Sequence, residues 1–134
     1  MSEEKPILVA AGIISKGERI LICQRHPSDA YALQWEFPGG KVKNGEQIEA
    51  ALRRELEEEL CIQAEIGREL CRLRHRYPDR FVEVVFFQVT SFRGEARNLV
   101  FQSIEWAPRS RLAEYNFLEA DRDLVERLAK GEII

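Results

Sequence analysis

Residues 40–62, GKVKNGEQIEAALRRELEEELCI, join a glycine-marked turn to a helix whose two faces are chemically opposed. Leu52, Leu56 and Leu60 recur every fourth residue, so one stripe of that helix must pack on a core. Glu55, Glu58 and Glu59 fall at i, i+3 and i+4, which puts three carboxylates on one side within little more than a turn. Charge runs usually face water. Here the leucine stripe fixes the helix, so its acidic edge is held in place, and like charges packed that closely oppose folding unless a cation joins them. Hard divalent ions take oxygen ligands, and Mg²⁺ combines one or two carboxylates with waters and substrate phosphates. The helix therefore points to phosphate chemistry.

The upstream residues sharpen this reading. Pro38, Gly39 and Gly40 mark a turn, and Gly45 precedes Glu46 before the helix begins. The spacing of Gly40, Glu46, Arg54, Glu55, Leu56, Glu58 and Glu59 resembles the box of the Nudix hydrolases. WEFPGGKV at 35–42, PDR at 78–80 and a tryptophan at 106 are similar to the MutT-type nucleoside triphosphate pyrophosphohydrolases of that superfamily. The resemblance implies a metal-dependent enzyme in which water attacks the β-phosphorus of a nucleoside triphosphate, leaving a monophosphate and pyrophosphate. It implies Mg²⁺, or Mn²⁺, held by Glu55, Glu58, Glu59 and the Gly39 carbonyl. Glu55 would be the general base, with Arg54 orienting it or serving only as a structural ion pair. Glu46 would ligate a metal or brace the loop, and Lys41 would meet phosphate or simply face solvent.

Base recognition is carried over as Arg25, Phe37 and Asp121, each with a plainer alternative: surface charge, core packing and a cap on the last helix. The family has asparagine where this chain has Asp121. An ionised aspartate only accepts hydrogen bonds, which favours a donor-rich base edge, whereas a buried, protonated one regains a donor. The resemblance implies 8-oxo-dGTP as the leading substrate, in nucleotide-pool sanitation, and Asp121 is what brings in a cytosine nucleotide beside it. The alternatives are CTP, dCTP or a modified cytosine nucleotide, and, from a different class, a non-catalytic nucleotide sensor. Two positions depart from the family. Cys61 stands where a glycine ends the motif helix, for which a modest loss of stability is expected. Val100 stands where a further metal-binding glutamate is usual, six residues before Trp106, and Glu95 or Glu105 could replace it only on a different loop path. One fewer protein ligand and an altered metal requirement are expected.

The remaining features bound the class. A chain of 134 residues with 45% hydrophobic content suits one domain over 1–134. With 20 basic and 23 acidic residues the net charge is −3, which gives no bulk attraction to nucleic acid, so a small polyanion must be captured locally. There is no long apolar run and no secretory pattern, so a cytoplasmic protein without membrane association is expected, as a monomer or weak homodimer. Cys23, Cys61 and Cys71 are odd in number and lack CxxC spacing, which reads as buried free thiols. His26 and His75 are too separate to suggest a ligand pair.

Periodicity predicts strands at 7–14 and 19–24 joined by a turn at Lys16 and Gly17, strands at 64–74 and 81–91 around Tyr77, Pro78 and Asp79, and a short strand at 104–107. Leu124, Val125 and Leu128 predict an amphipathic helix over 121–130, stopped by Gly131. Two helices with a mixed set of strands make an α/β fold, and the resemblance implies the Nudix-type α/β/α sandwich with a mixed β-sheet. Trp106 is expected in the core, and Trp35 in the core or the base pocket.

Overall fold

The structure is a computed structural model, and it describes residues 4–134. Its centre is β1 (Ile7–Lys16), where apolar residues sit on both sides of the pleat. Such a strand has to be covered on both faces. Ala11 and Ile13 join one buried cluster, Ala10 and Ile14 the other. β1 turns through Gly17, at φ +61°, into antiparallel β2 (Arg19–Gln24). β3 (Trp35–Glu36) follows on the far edge of β2, and β4 (Gly39–Lys41) returns to pair with β1.

α1 (Ile48–Leu60) comes next, with Ala51, Leu52, Leu56 and Leu60 buried as the leucine stripe requires. Each fully buried leucine contributes about 2 kcal/mol of transfer free energy. The predicted strand at 64–74 is two strands. β5 (Gln63–Glu65) and β6 (Glu69–Arg76) are separated where the Gly67 N–H donates to the Gln88 carbonyl at 2.8 Å. A Cβ at Gly67 would lie 2.7 Å from that oxygen, so the chain crosses too closely for a side chain. The strand expected at 81–91 divides likewise into β7 (Phe81–Val89) and β8 (Ser91–Arg93), with β5 and β8 forming their own small ladder.

β9 (Ser103–Pro108) pairs with β2, and two 3-10 turns, Arg109–Glu114 and Glu119–Asp121, lead into α2 (Arg122–Ala129). β1 and β7 run parallel over eight residue pairs, while β6 is antiparallel to β7, so the main sheet is mixed. Alternation along β7 sends Val82, Val84 and Phe86 toward α2, and Val85, Phe87 and Val89 toward α1. The result is the expected α/β/α sandwich. No helix among the described residues is long and apolar enough to cross a membrane.

The cysteines depart from expectation. Cys23 is buried, Cys71 is intermediate and Cys61 is exposed. Cys61 ends α1 at φ 59°, ψ 34°, the left-handed conformation that glycine adopts at no steric cost. Trp106 is partly buried, stacked on Phe92, and Trp35 lies edge-on to Tyr115. Neither indole lines the cavity that opens beside Gly39 and Glu59.

Candidate active site

β4 and α1 face each other, and their contact is made possible by two glycines. A Cβ on Gly39 would fall 2.0 Å from the Ala10 carbonyl oxygen, so β4 lies against β1 only without one. A Cβ on Gly40 would fall 2.4 Å from the Glu55 carboxyl carbon, so Glu55 rests directly on the strand backbone. The Gly39 N–H donates to Glu59 Oε1 at 3.2 Å. The turn and the helix named in the sequence thus form one site.

Arg54 organises its edge. Its Nε and Nη2 donate to the two oxygens of Glu46 at 2.8 and 3.0 Å, a bidentate pair. Nη1 reaches Glu55 Oε1 at 2.8 Å and Glu58 Oε2 at 3.3 Å, and Nη2 also meets the Lys41 carbonyl at 3.1 Å. The Arg54 contact, then the Lys43 backbone N–H, hold the Glu46 carboxyl down to about 2. Glu59 is in the opposite position. Burial, then the charges of Glu55 and Glu36, push its carboxyl up to about 8. A carboxylate this reluctant to ionise, with carboxylates as neighbours, fits the demand for a hard cation made by the helix pattern. Among the described residues no three acidic, imidazole or thiol groups converge on one point, because Arg54 draws Glu55 and Glu58 aside while Glu59 turns to Gly39.

A cavity of about 220 Å³ opens from Gly39, Gly40 and Glu59 and runs to Arg25, Phe37 and Asp121. Gly39, Glu59, Arg25, Phe37 and Asp121 are residues the sequence nominates for the site, and Gly40 opens the box. Lys41 is exposed and outside it. Arg25 spans the wall, with Nε donating to the Ala30 carbonyl at 2.8 Å and Nη1 meeting Glu36 at 3.3 Å. Phe37 is 4% exposed, its ring packed on Phe117 at 5.1 Å and Phe86 at 6.2 Å.

Asp121 is the one buried charged residue described, at 6% exposure. It precedes α2 but makes no side-chain capping bond, and its φ of −92° and ψ of −12° are helical, whereas a capping residue is usually extended. The capping alternative therefore fails. Burial, then the charge of Glu36, push its carboxyl up to about 8, against a smaller opposing effect from the Phe37 backbone N–H. Burial thus favours the neutral acid form of Asp121 in the cavity, a form with one donor and one acceptor.

Sequence reasoning had not assigned Glu36, Tyr31, Tyr77 or Arg80 to the cavity. Arg80 carried a signal in the PDR segment and Glu36 in its place beside Phe37; Tyr31 and Tyr77 carried none. In the late loop, the Val100 carbonyl meets His26 Nε2 at 2.8 Å, and neither Glu95 nor Glu105 lines the cavity.

Comparison with known proteins agrees with this geometry. The family model described as NUDIX domain matches residues 5–128. An 8-oxo-dGTP diphosphatase of Haemophilus influenzae is 37% identical over 127 residues, which is 94% of this chain and 93% of that protein. A CTP pyrophosphohydrolase of Escherichia coli is 34% identical over 122 residues, 91% and 90% of the two chains. The crystal structure of a MutT NUDIX hydrolase from Burkholderia pseudomallei superposes with a TM-score of 0.83 at 29% identity, covering 92% of this chain and 98% of the other. With its box assembled between β4 and α1 and the family model spanning nearly its whole length, this chain belongs to the Nudix hydrolases, enzymes acting on phosphoric anhydrides.

Proposed function

We propose that this enzyme is a pyrophosphohydrolase of nucleoside triphosphates, with 8-oxo-dGTP as its leading substrate in nucleotide-pool sanitation. The observation that carries the reading is the single cavity joining the carboxylate helix to Asp121. A phosphate-reactive end and a base-reading end are the two things a nucleotide enzyme needs. A neutral Asp121 can donate to O6 of 8-oxoguanine and accept from its N7–H. Ordinary guanine presents two acceptors, N7 and O6, on that edge, so the carbonyl of Asp121 would face N7 unfavourably.

The oxygen donors Glu55, Glu58, Glu59 and the Gly39 carbonyl suit Mg²⁺ or Mn²⁺, which when bound would neutralise triphosphate charge and acidify the attacking water. Glu55 accepts the proton of that water as its oxygen bonds to the β-phosphorus and the bond to the bridging oxygen of the leaving monophosphate breaks. Arg54 fixes Glu55 by a 2.8 Å charge-assisted bond and is itself fixed by Glu46. Glu46, with both oxygens engaged, braces Arg54 in preference to ligating a metal. Arg25, Phe37 and Asp121 seat the base, and Lys41 is assigned to solvent or to the outer phosphate.

The cytosine alternative retains one specific support. A neutral carboxyl also complements cytosine, donating to N3 and accepting from the amino group. Pyrophosphate release across ordinary and oxidised triphosphates separates the two readings. A kcat/KM preference for 8-oxo-dGTP over dGTP of about a hundredfold, roughly 2.7 kcal/mol, supports sanitation, and a preference for cytosine nucleotides replaces it. Glu55→Gln should lose several orders of magnitude in rate while still binding product. Absence of turnover for every triphosphate would point to another Nudix substrate or to a nucleotide sensor.

A further inference from the structure

We propose that Tyr31 is a nucleobase-contact residue, its ring forming the accessible aromatic wall of the cavity and its hydroxyl fastening that wall to Asp79. This rests on the reading that the cavity receives a nucleotide. Three aromatic side chains line the cavity: Tyr31, Phe37 and Tyr77. Phe37 and Tyr77 are 4% and 7% exposed, and the Phe37 ring is already committed to Phe86 and Phe117. Tyr31 is only partly buried. Among these three it keeps the most ring surface for a ligand.

The ring is held from several directions. Its centroid lies 4.9 Å from that of Tyr77, and the Arg80 guanidinium sits 5.6 Å from it. The Tyr31 hydroxyl donates to Asp79 Oδ1, while Asp79 Oδ2 accepts from Arg80 Nη2 at 2.8 Å and Nε at 3.1 Å. Asp79 stands in the Tyr77–Arg80 turn, closed by the Tyr77 N–H to Arg80 carbonyl bond at 2.7 Å. The β2–β3 loop is thereby clasped to the β6–β7 turn beside the base-reading end of the cavity. The loop backbone is shaped to do this. Tyr31 and Leu33 have φ of 58° and 62°, and the loop has no glycine to adopt them without strain. A bulky residue keeps such a conformation only where its surroundings over-determine it, and such strain clusters at ligand sites. What this strain achieves here is the placement of the Tyr31 ring. Nothing in the box spacing calls for tyrosine at this position, so Tyr31 is a base-contact feature of this chain's own loop.

The test compares Tyr31→Ala, Tyr31→Phe, Asp79→Asn and the Phe/Asn double variant with the parent enzyme. Isothermal titration would measure binding of 8-oxo-dGMP and CMP, and competition kinetics would measure inhibition by inorganic pyrophosphate as a base-free control. Loss of a stacking surface should weaken the better-bound monophosphate about tenfold in Tyr31→Ala and raise the substrate KM similarly, leaving pyrophosphate inhibition unaltered. Tyr31→Phe keeps the ring and loses the clasp, so about threefold weakening is expected, with no further loss in the double variant beyond Asp79→Asn alone. Should Tyr31→Ala not fold, this cycle decides the question. Unchanged monophosphate binding in the tyrosine variants, or equal weakening of pyrophosphate, overturns the proposal while leaving the hydrolase reading intact. If the parent enzyme binds and hydrolyses no nucleotide, both readings fall.

Discussion

Replacing Asp121 by Asn tests the base-reading end of the site through stability, without assuming any substrate. In the folded chain burial and Glu36 push this carboxyl up to about 8 from an ordinary 3.8. Between those values the folded state keeps a proton that the unfolded chain has released, so stability falls as pH rises. The fall is about 1.4 kcal/mol per pH unit for one proton. At pH 7 the accumulated cost is on the order of 4 kcal/mol, a large share of the 5–15 kcal/mol typical of a domain. Asparagine keeps the shape, donates and accepts as the neutral acid does, and has no proton to lose. The absolute gain depends on how well its amide is partnered, but the pH dependence does not. Urea unfolding of the two proteins at pH 5, 6, 7 and 8 should show the advantage of Asp121→Asn growing by on the order of 3 kcal/mol between pH 5 and 7, then levelling off above 8. The same variant should hold its preference for 8-oxo-dGTP above pH 8, where the parent enzyme loses it as Asp121 ionises. A difference in stability that stays flat from pH 5 to 8 would show Asp121 ionised throughout, and would remove the donor on which the 8-oxoguanine reading depends.

Three further outcomes are expected. Cys61→Gly should stabilise the fold by about 1 kcal/mol, because glycine relieves the left-handed strain at φ 59° and the exposed thiol gives up little burial; thermal melting should rise by about 3 °C, whereas Cys61→Ala should show no rise. Gly40→Ala should displace Glu55, whose carboxyl carbon is 2.4 Å from the added Cβ, and lower kcat about a hundredfold with melting temperature within a few degrees of the parent; unaltered kcat would mean that Glu55 works from another position. Glu46→Gln should break the bidentate pair on Arg54 and reduce kcat about tenfold at saturating Mg²⁺, while the Mg²⁺ concentration for half-maximal rate stays as in the parent; a large shift in that concentration would make Glu46 a metal ligand.

What could be read in advance was what repeats or is spaced. The leucine stripe of α1, the alternation of β7 and the apolar face of α2 are periodic, and each fixes which side is buried. The box spacing likewise puts Arg54 within reach of Glu46 and Glu55. β3 and β4, of two and three residues, are too short to show any period, yet β4 carries the two glycines against which the site is built. The break at Gly67 was missed for a related reason. It is caused by the Gln88 carbonyl from another strand, and Gly67 alone marks the place without naming the partner that approaches it.

Asp121 shows how far local spelling reaches. A polar residue just before an amphipathic helix reads as a cap, and a carboxylate at a base-reading position reads as a ligand contact; the same three letters serve both. The choice is made by the preceding Glu119–Asp121 turn, which carries the chain into helical φ and ψ before α2 begins and so denies the side chain the usual extended capping geometry. That turn is in part anchored by the Tyr77 hydroxyl, which accepts from the Ala120 N–H at 3.0 Å across 43 residues of sequence. Tyr77 in turn packs on Tyr31. Asp121 and Tyr31, the residues proposed to read the base and to wall it, are therefore set by one long-range contact chain, and altering either should be felt at the other: a Tyr77→Phe change, which frees the Ala120 N–H, should weaken monophosphate binding without touching the carboxylates of α1.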